Sequence, residues 1–134
     1  MSLQLAVSTR NARLDAIEVD LGTDPILRIR SGAAPADCAT ADAGTILAEM
    51  TLPTDWMAAA AAGSKAKSGT WQETAANAAG TAAHFRIYTS GGVCKLQGTV
   101  TATAGGGDLE LDNTSIAVGQ VVTITTFTLT DGNA

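Results

Sequence analysis

The only histidine of the chain, His84, belongs to a short run in which polar and apolar residues alternate. An imidazole acts as a general base only beside a nucleophile and a third group that orients it. The alternation places His84 on an outward strand face together with Arg86 and Tyr88. A surface or interface contact is therefore the preferred interpretation for His84, and general-base catalysis is the alternative.

Three acidic residues, Asp108, Glu110 and Asp112, also alternate with apolar neighbours, and Asn113 follows them. Clustered oxygens could bind calcium, and two carboxylates could hydrolyse a glycosidic bond. The spacing of an EF-hand loop is absent, and few aromatic residues are available to stack on a sugar. We interpret this run as a solvated strand face, and we predict no metal-binding residue here.

The two cysteines, Cys38 and Cys94, are far apart in the sequence. They are compatible either with two small buried residues or with a disulfide, and the sequence leaves both open. A zinc site is disfavoured because the chain has no CxxC motif and one histidine. We expect no catalytic residue, no cofactor-binding residue and no cofactor, and we predict that the chain is not an enzyme.

His84 lies within residues 81–102, which form the best candidate for a β-hairpin in the chain. Phe85 and Ile87 fall on the face opposite His84, which predicts that this face lies towards a core. Ser90, Gly91 and Gly92 supply the backbone freedom that a tight turn needs.

An N-terminal helix is predicted over residues 8–21, with Ser8 or Thr9 as the capping residue and Gly22 as the stop. Its apolar stripe has helical spacing, and its polar face could contact a sheet edge or a neighbouring subunit. The two tryptophans of the chain are either interface anchors or core residues. The candidates for interface residues are Arg10, Arg13, Ile17, Trp56, His84, Arg86 and Tyr88.

Short strands are predicted over residues 26–30, 46–52, 70–74 and 120–130, with a long loop over residues 31–44. Residues 54–62 are compatible with a helical turn or an alanine-rich strand. The whole pattern predicts a mainly β fold, an antiparallel β-sandwich or jelly roll of about seven or eight strands with one N-terminal helix. It forms a single domain, residues 1–134, with the β core over residues 26–130.

The composition indicates which classes of partner are disfavoured. The net charge is −5, and the eight lysines and arginines are dispersed, which disfavours nucleic acid. No apolar run approaches the roughly 18 residues of a membrane span, and the first residues lack the pattern of a signal peptide. We expect synthesis in the cytoplasm. A core rich in small residues favours an oligomer or a docked protein.

Several blocks of the chain resemble small virion structural proteins of tailed bacteriophages. They cover most of the sequence from about Asn11 onward, and they are NARLDAIE, LRIRSGAAPADC, ILAEMTLPTDWM, GTAAHFRIY and GDLELDNTSIAVGQVVTITTFTLTDGNA. The resemblance is greatest to capsid decoration (cement) proteins with jelly-roll folds, and it brings no catalytic motif.

The resemblance implies a decoration protein on the outer capsid surface of the virion, which binds and stabilises an HK97-like shell. Its partners are then the major capsid protein and further copies of itself, as a homo-oligomer (dimer or trimer), with the helix and the 31–44 loop as contacts. The first alternative is a tail, neck or baseplate component of the same virion. A carbohydrate-binding or enzymatic β-sandwich is the third hypothesis.

Overall fold

A computed structural model describes residues 3–133 as one helix and a set of mostly short strands. The prediction of a mainly β fold with one helix is confirmed. The elements are α1 (Val7–Leu21), β1 (Ile26–Arg30), β2 (Ile46–Thr51), β3 (Ser64–Ala66), β4 (Trp71–Glu73), β5 (Gly80–Thr81), β6 (His84–Tyr88), β7 (Cys94–Ala102), β8 (Leu109–Leu111), β9 (Ser115–Ile116), β10 (Val122–Ile124) and β11 (Thr128–Thr130).

The largest sheet has five strands in the order β2-β1-β6-β7-β8. The predicted hairpin is confirmed as β6 and β7, at the centre of this sheet. One pair departs from the predicted antiparallel arrangement, because β7 and β8 run parallel with Val100 opposite Leu109. Parallel neighbours usually need a crossover of about a dozen residues. Here residues 103–108 suffice, since the chain doubles back through positive φ angles at Ala104 (68°) and Gly106 (84°).

Three two-stranded ribbons complete the β structure: β10 with β4, β11 with β3, and β5 with β9. The prediction of one continuous strand over residues 120–130 is wrong, because its two halves pair with different partners as β10 and β11. Phe127 lies in the break between them and is buried. Residues 54–62 are neither helix nor continuous strand; Met57 and Ala61 form isolated bridges.

Aromatic rings connect the large sheet to the ribbons. Phe85 of β6 meets Phe127 edge-on with ring centroids 5.6 Å apart, and Phe127 lies 5.4 Å from Trp71. Trp71 lies 6.0 Å from Trp56. Both indoles are buried, and each donates a hydrogen bond to a backbone carbonyl, Trp56 to Gly22 (3.1 Å) and Trp71 to a neighbouring turn. Four of the five aromatic residues of the chain thus gather in one core cluster, and Tyr88 lies outside it.

The predicted helix is confirmed, although its cap is not. Residue Ala6 occupies the N-cap position without a side-chain hydrogen bond, so the prediction of Ser8 or Thr9 as the cap is wrong. Gly22 ends the helix with φ 78°, as predicted. Leu14 and Leu21 of the helix are buried, and Leu21 belongs to the hydrophobic core.

A buried lysine fastens this helix to the ribbons. Lys65 of β3 is 1 % exposed, and its Nζ lies 2.6 Å from Asp15 Oδ1 and 2.7 Å from Glu18 Oε2 of α1. Burial disfavours the ammonium, but its hydrogen bonds to Asp15 and Glu18 outweigh this effect and raise the pKa of Lys65. The packing of α1 therefore depends on an ion-paired cluster as well as on apolar contacts.

We predict that Lys65→Met lowers the free energy of unfolding by about 2 kcal/mol, because two carboxylates lose their shared cation. Urea denaturation measures this change. The matched control is Lys95→Met, since Lys95 pairs with Asp20 in an exposed position. Its cost should stay below about 1 kcal/mol. Equal costs for the two variants would contradict the role assigned to Lys65.

Candidate functional site

The most concentrated set of chemically capable side chains lies on the outer face of the large sheet. We call it the outer-face cluster, and it consists of Arg30 of β1, His84, Arg86 and Tyr88 of β6, and Asp42 of the 31–44 loop. The four strand residues are all buried, with His84 0 % and Arg86 1 % exposed. The prediction of an exposed face for His84, Arg86 and Tyr88 is wrong. The 31–44 loop folds over these side chains and supplies their partners.

Arg86 makes the largest number of contacts in the cluster. Its Nη2 donates to the carbonyl oxygens of Asp37 (2.8 Å) and Thr40 (3.0 Å), and its Nε donates to Gln97 Oε1 (3.0 Å). Its Nη1 binds the carboxylate of Asp42. A guanidinium has five N–H donors in a fixed planar fork, so one side chain holds several acceptors of the loop at once.

Asp42 is the anion of the cluster. It accepts hydrogen bonds from Tyr88 Oη (2.7 Å) and Arg30 Nη2 (3.0 Å) as well as from Arg86. Burial opposes its ionisation, but the hydrogen bonds from Tyr88 and Arg86 and the charges of both arginines outweigh burial and lower the pKa of Asp42. Burial and its hydrogen bond to this carboxylate raise the pKa of Tyr88. The arrangement keeps Asp42 charged and Tyr88 protonated near neutral pH.

His84 binds the start of the same loop. Its Nδ1 lies 2.7 Å from the carbonyl oxygen of Gly32, which can only accept, so Nδ1 carries a proton. Its Nε2 is buried and makes no hydrogen bond within residues 3–133. The contacts of His84 are thus those of a residue that positions the loop, rather than those of a surface contact.

The other interface candidates are divided between the interior and the surface. Arg10 is buried and donates to the carbonyl oxygen of Asp131 (3.3 Å). Arg13 is exposed and pairs with the carboxylate of Asp131 at 3.1 Å. Ile17 is partly buried against the core, and Trp56 belongs to it. Of these four, Arg13 is the one whose side chain is exposed for a contact beyond the chain.

The acidic run does not form a ligand cluster. Asp108 accepts hydrogen bonds from the backbone N–H (2.9 Å) and the hydroxyl (3.1 Å) of Thr99, which holds the return from β7 to β8. Among residues 3–133, no group of three or more histidine, cysteine, aspartate or glutamate side chains is arranged to hold a metal ion. A cavity of about 450 Å³ lies beside Asp108, between Leu96 and Phe127.

Sequence reasoning missed Asp42 and Gln97. Gln97 joins Arg86 to the loop, since its Nε2 donates to the carbonyl oxygen of Pro35 (2.8 Å). The signal that was available is the position of a long loop directly after a strand with alternating arginines. Such a loop can return over the polar face of that strand and provide acceptors for it.

The substitution Asp42→Asn tests whether the Asp42 carboxylate stabilises the fold, because that contribution depends on pH. Because the pKa of Asp42 is lower in the folded chain, the unfolded chain binds the proton of this carboxyl group more tightly. The stabilisation by the Asp42 carboxylate is therefore complete above the unfolded pKa of ~3.9. It falls as the pH drops through the lower pKa of the folded state. At neutral pH the variant should lose about 1–3 kcal/mol of unfolding free energy. Below pH ~4 the difference from the wild type should narrow.

The measurement is urea denaturation at a series of pH values, with Asp112→Asn as the control because Asp112 is exposed. The control should follow the wild-type curve throughout. A pH-independent difference between Asp42→Asn and the wild type would contradict the assigned role of the carboxylate.

Within residues 3–133, the helix is too short and too polar to cross a membrane. Comparison of the chain with protein-family models, with curated proteins and with solved structures finds no significant match.

Proposed function

We propose that this chain is a virion structural protein of a tailed bacteriophage, and specifically a capsid decoration (cement) protein. It binds the outer surface of the major capsid shell and stabilises it. The proposal rests on the resemblance of the sequence blocks from about Asn11 to the C-terminus. The two-layer jelly-roll arrangement that the resemblance implies is part of the same proposal.

One structural observation favours a binding role for α1. The helix is fastened to the β core along one side through Lys65, and its other side is open to solvent. A large apolar side chain is exposed there, since Val19 is 80 % exposed. Exposed apolar groups of this kind gain free energy when a partner covers them. The open side of α1 is therefore the contact that we assign to the capsid or to a sister subunit.

Placement within the virion is tested by copy number. Quantitative mass spectrometry of purified particles should give between about one-third and one copy of this chain per major capsid protein, because decoration sites repeat over the symmetric shell. A ratio of a few per cent would instead support the tail, neck or baseplate alternative. Absence from particles would contradict both placements.

The helix contact is tested by Val19→Asp. A charge on the open side of α1 should weaken binding of the purified protein to particles that lack it by at least about tenfold, because the carboxylate must be desolvated in the contact. Cosedimentation measures the bound fraction. Val118→Asp is the matched control, because Val118 is also exposed (69 %) and lies away from the helix in the sequence.

Both variants should remain folded at the temperature of the binding assay, since neither side chain is buried. Equal particle binding by the two variants would contradict the helix contact. That result would leave the copy-number test of decoration unaffected.

A further inference from the structure

The 31–44 loop holds Cys38 at a defined place over the large sheet. Arg86 binds the carbonyl oxygens of Asp37 and Thr40, which lie on either side of Cys38 in the sequence. Gln97 of β7 binds the carbonyl oxygen of Pro35. Because the backbone is anchored both before and after Cys38, its thiol has little freedom to move away from the face formed by β6 and β7.

Cys94 lies beneath this part of the loop. It is the cross-strand partner of Tyr88, and paired residues on neighbouring strands share one face of a sheet. Tyr88 and Arg86 belong to the outer face. The register shifts between Ile87 and Tyr88, but Cys38 and Arg86 both act on the thiol of Cys94, which places Cys94 on the same face. The thiol of Cys38 lies close enough to that of Cys94 to raise its pKa, and both residues are half-buried in the reduced form.

We infer that Cys38 and Cys94 are a redox-sensitive pair, which forms a reversible intrachain disulfide that locks the 31–44 loop onto β7. The oxidant is a disulfide of low molecular weight, for which oxidised glutathione is the probe. This inference is independent of the proposed virion function.

The reaction proceeds by two thiol–disulfide exchanges. Burial and the neighbouring Cys38 raise the pKa of Cys94 to about 11, which keeps Cys94 protonated near neutral pH, so the first attack is assigned to Cys38. The Cys38 thiolate attacks one sulfur of oxidised glutathione, forms a mixed disulfide and releases one glutathione. Cys94 then loses its proton to water and attacks Cys38 Sγ, which releases the second glutathione. The protein loses two electrons and two protons, and the oxidant gains both.

The physical consequence is a restricted unfolded state. The two residues are more than fifty positions apart in the sequence, so the bond closes a long loop and removes much of its conformational entropy. In the native state the thiols are already neighbours, and the loop is already docked. We therefore expect the oxidised form to unfold at a temperature roughly 10 °C higher than the reduced form.

The experiment uses the full wild-type chain at low micromolar concentration, reduced or equilibrated with oxidised glutathione. Intact mass should fall by two hydrogen atoms, and tryptic digestion without reduction should yield residues 31–65 joined to residues 87–95, since cleavage follows Arg30, Lys65, Arg86 and Lys95. Thermal unfolding of both forms gives the shift. Adding dithiothreitol should reverse it.

Cys38→Ser and Cys94→Ser are the control variants. Each keeps one thiol, so oxidised glutathione should add at most one glutathione and leave the unfolding temperature without the rise seen in the wild type. Stable glutathione adducts or intermolecular dimers in place of the intrachain bond would overturn the inference. An equal rise in either serine variant would overturn it too. The wild-type comparison decides the question even if a variant folds poorly.

Discussion

Burying the guanidinium of Arg86 imposes a constraint on a large part of the outer face. A charge removed from water is tolerated only when its donors find acceptors, and β7 provides Arg86 with one, Gln97 Oε1. The 31–44 loop supplies two carbonyl groups and the carboxylate of Asp42, which explains why a long segment without regular structure is closely docked. Arg30, Tyr88 and His84 extend the same network along the loop.

The two faces of the large sheet are thus covered through different kinds of interaction. The inner face buries Phe85 and Ile87 against an apolar cluster, where contact area contributes the free energy. The outer face is covered by polar contacts whose geometry matters more than their area. The helix is held by both kinds of interaction, by the buried apolar side chains of Leu14 and Leu21 and by the ion pair of Lys65 with Asp15. A chain with few large apolar residues thereby holds its peripheral segments in place.

These attachments bear on the proposed role in a virion. A decoration protein has to present a stable surface to a repeating partner, and a docked loop and a fastened helix provide preorganised surfaces at a low entropic cost on binding. The thiol pair Cys38 and Cys94 lies within the same docked loop. Its oxidation would act on a segment that is already ordered, so the bond would stabilise the existing arrangement instead of creating a new one.

The sequence by itself determined the local elements: α1 up to Gly22, β1, the β6–β7 hairpin, and the position of the 31–44 loop. Period-two and helical patterns are local, and turn residues mark their ends. Only the tertiary structure decided what covers each face, that residues 120–130 divide at Phe127, that β8 joins β7 in parallel, and that Asp42 meets Arg86. These outcomes depend on contacts between residues distant in sequence. An alternating pattern separates the two faces of a strand, but it does not say whether water or another segment lies over the polar one.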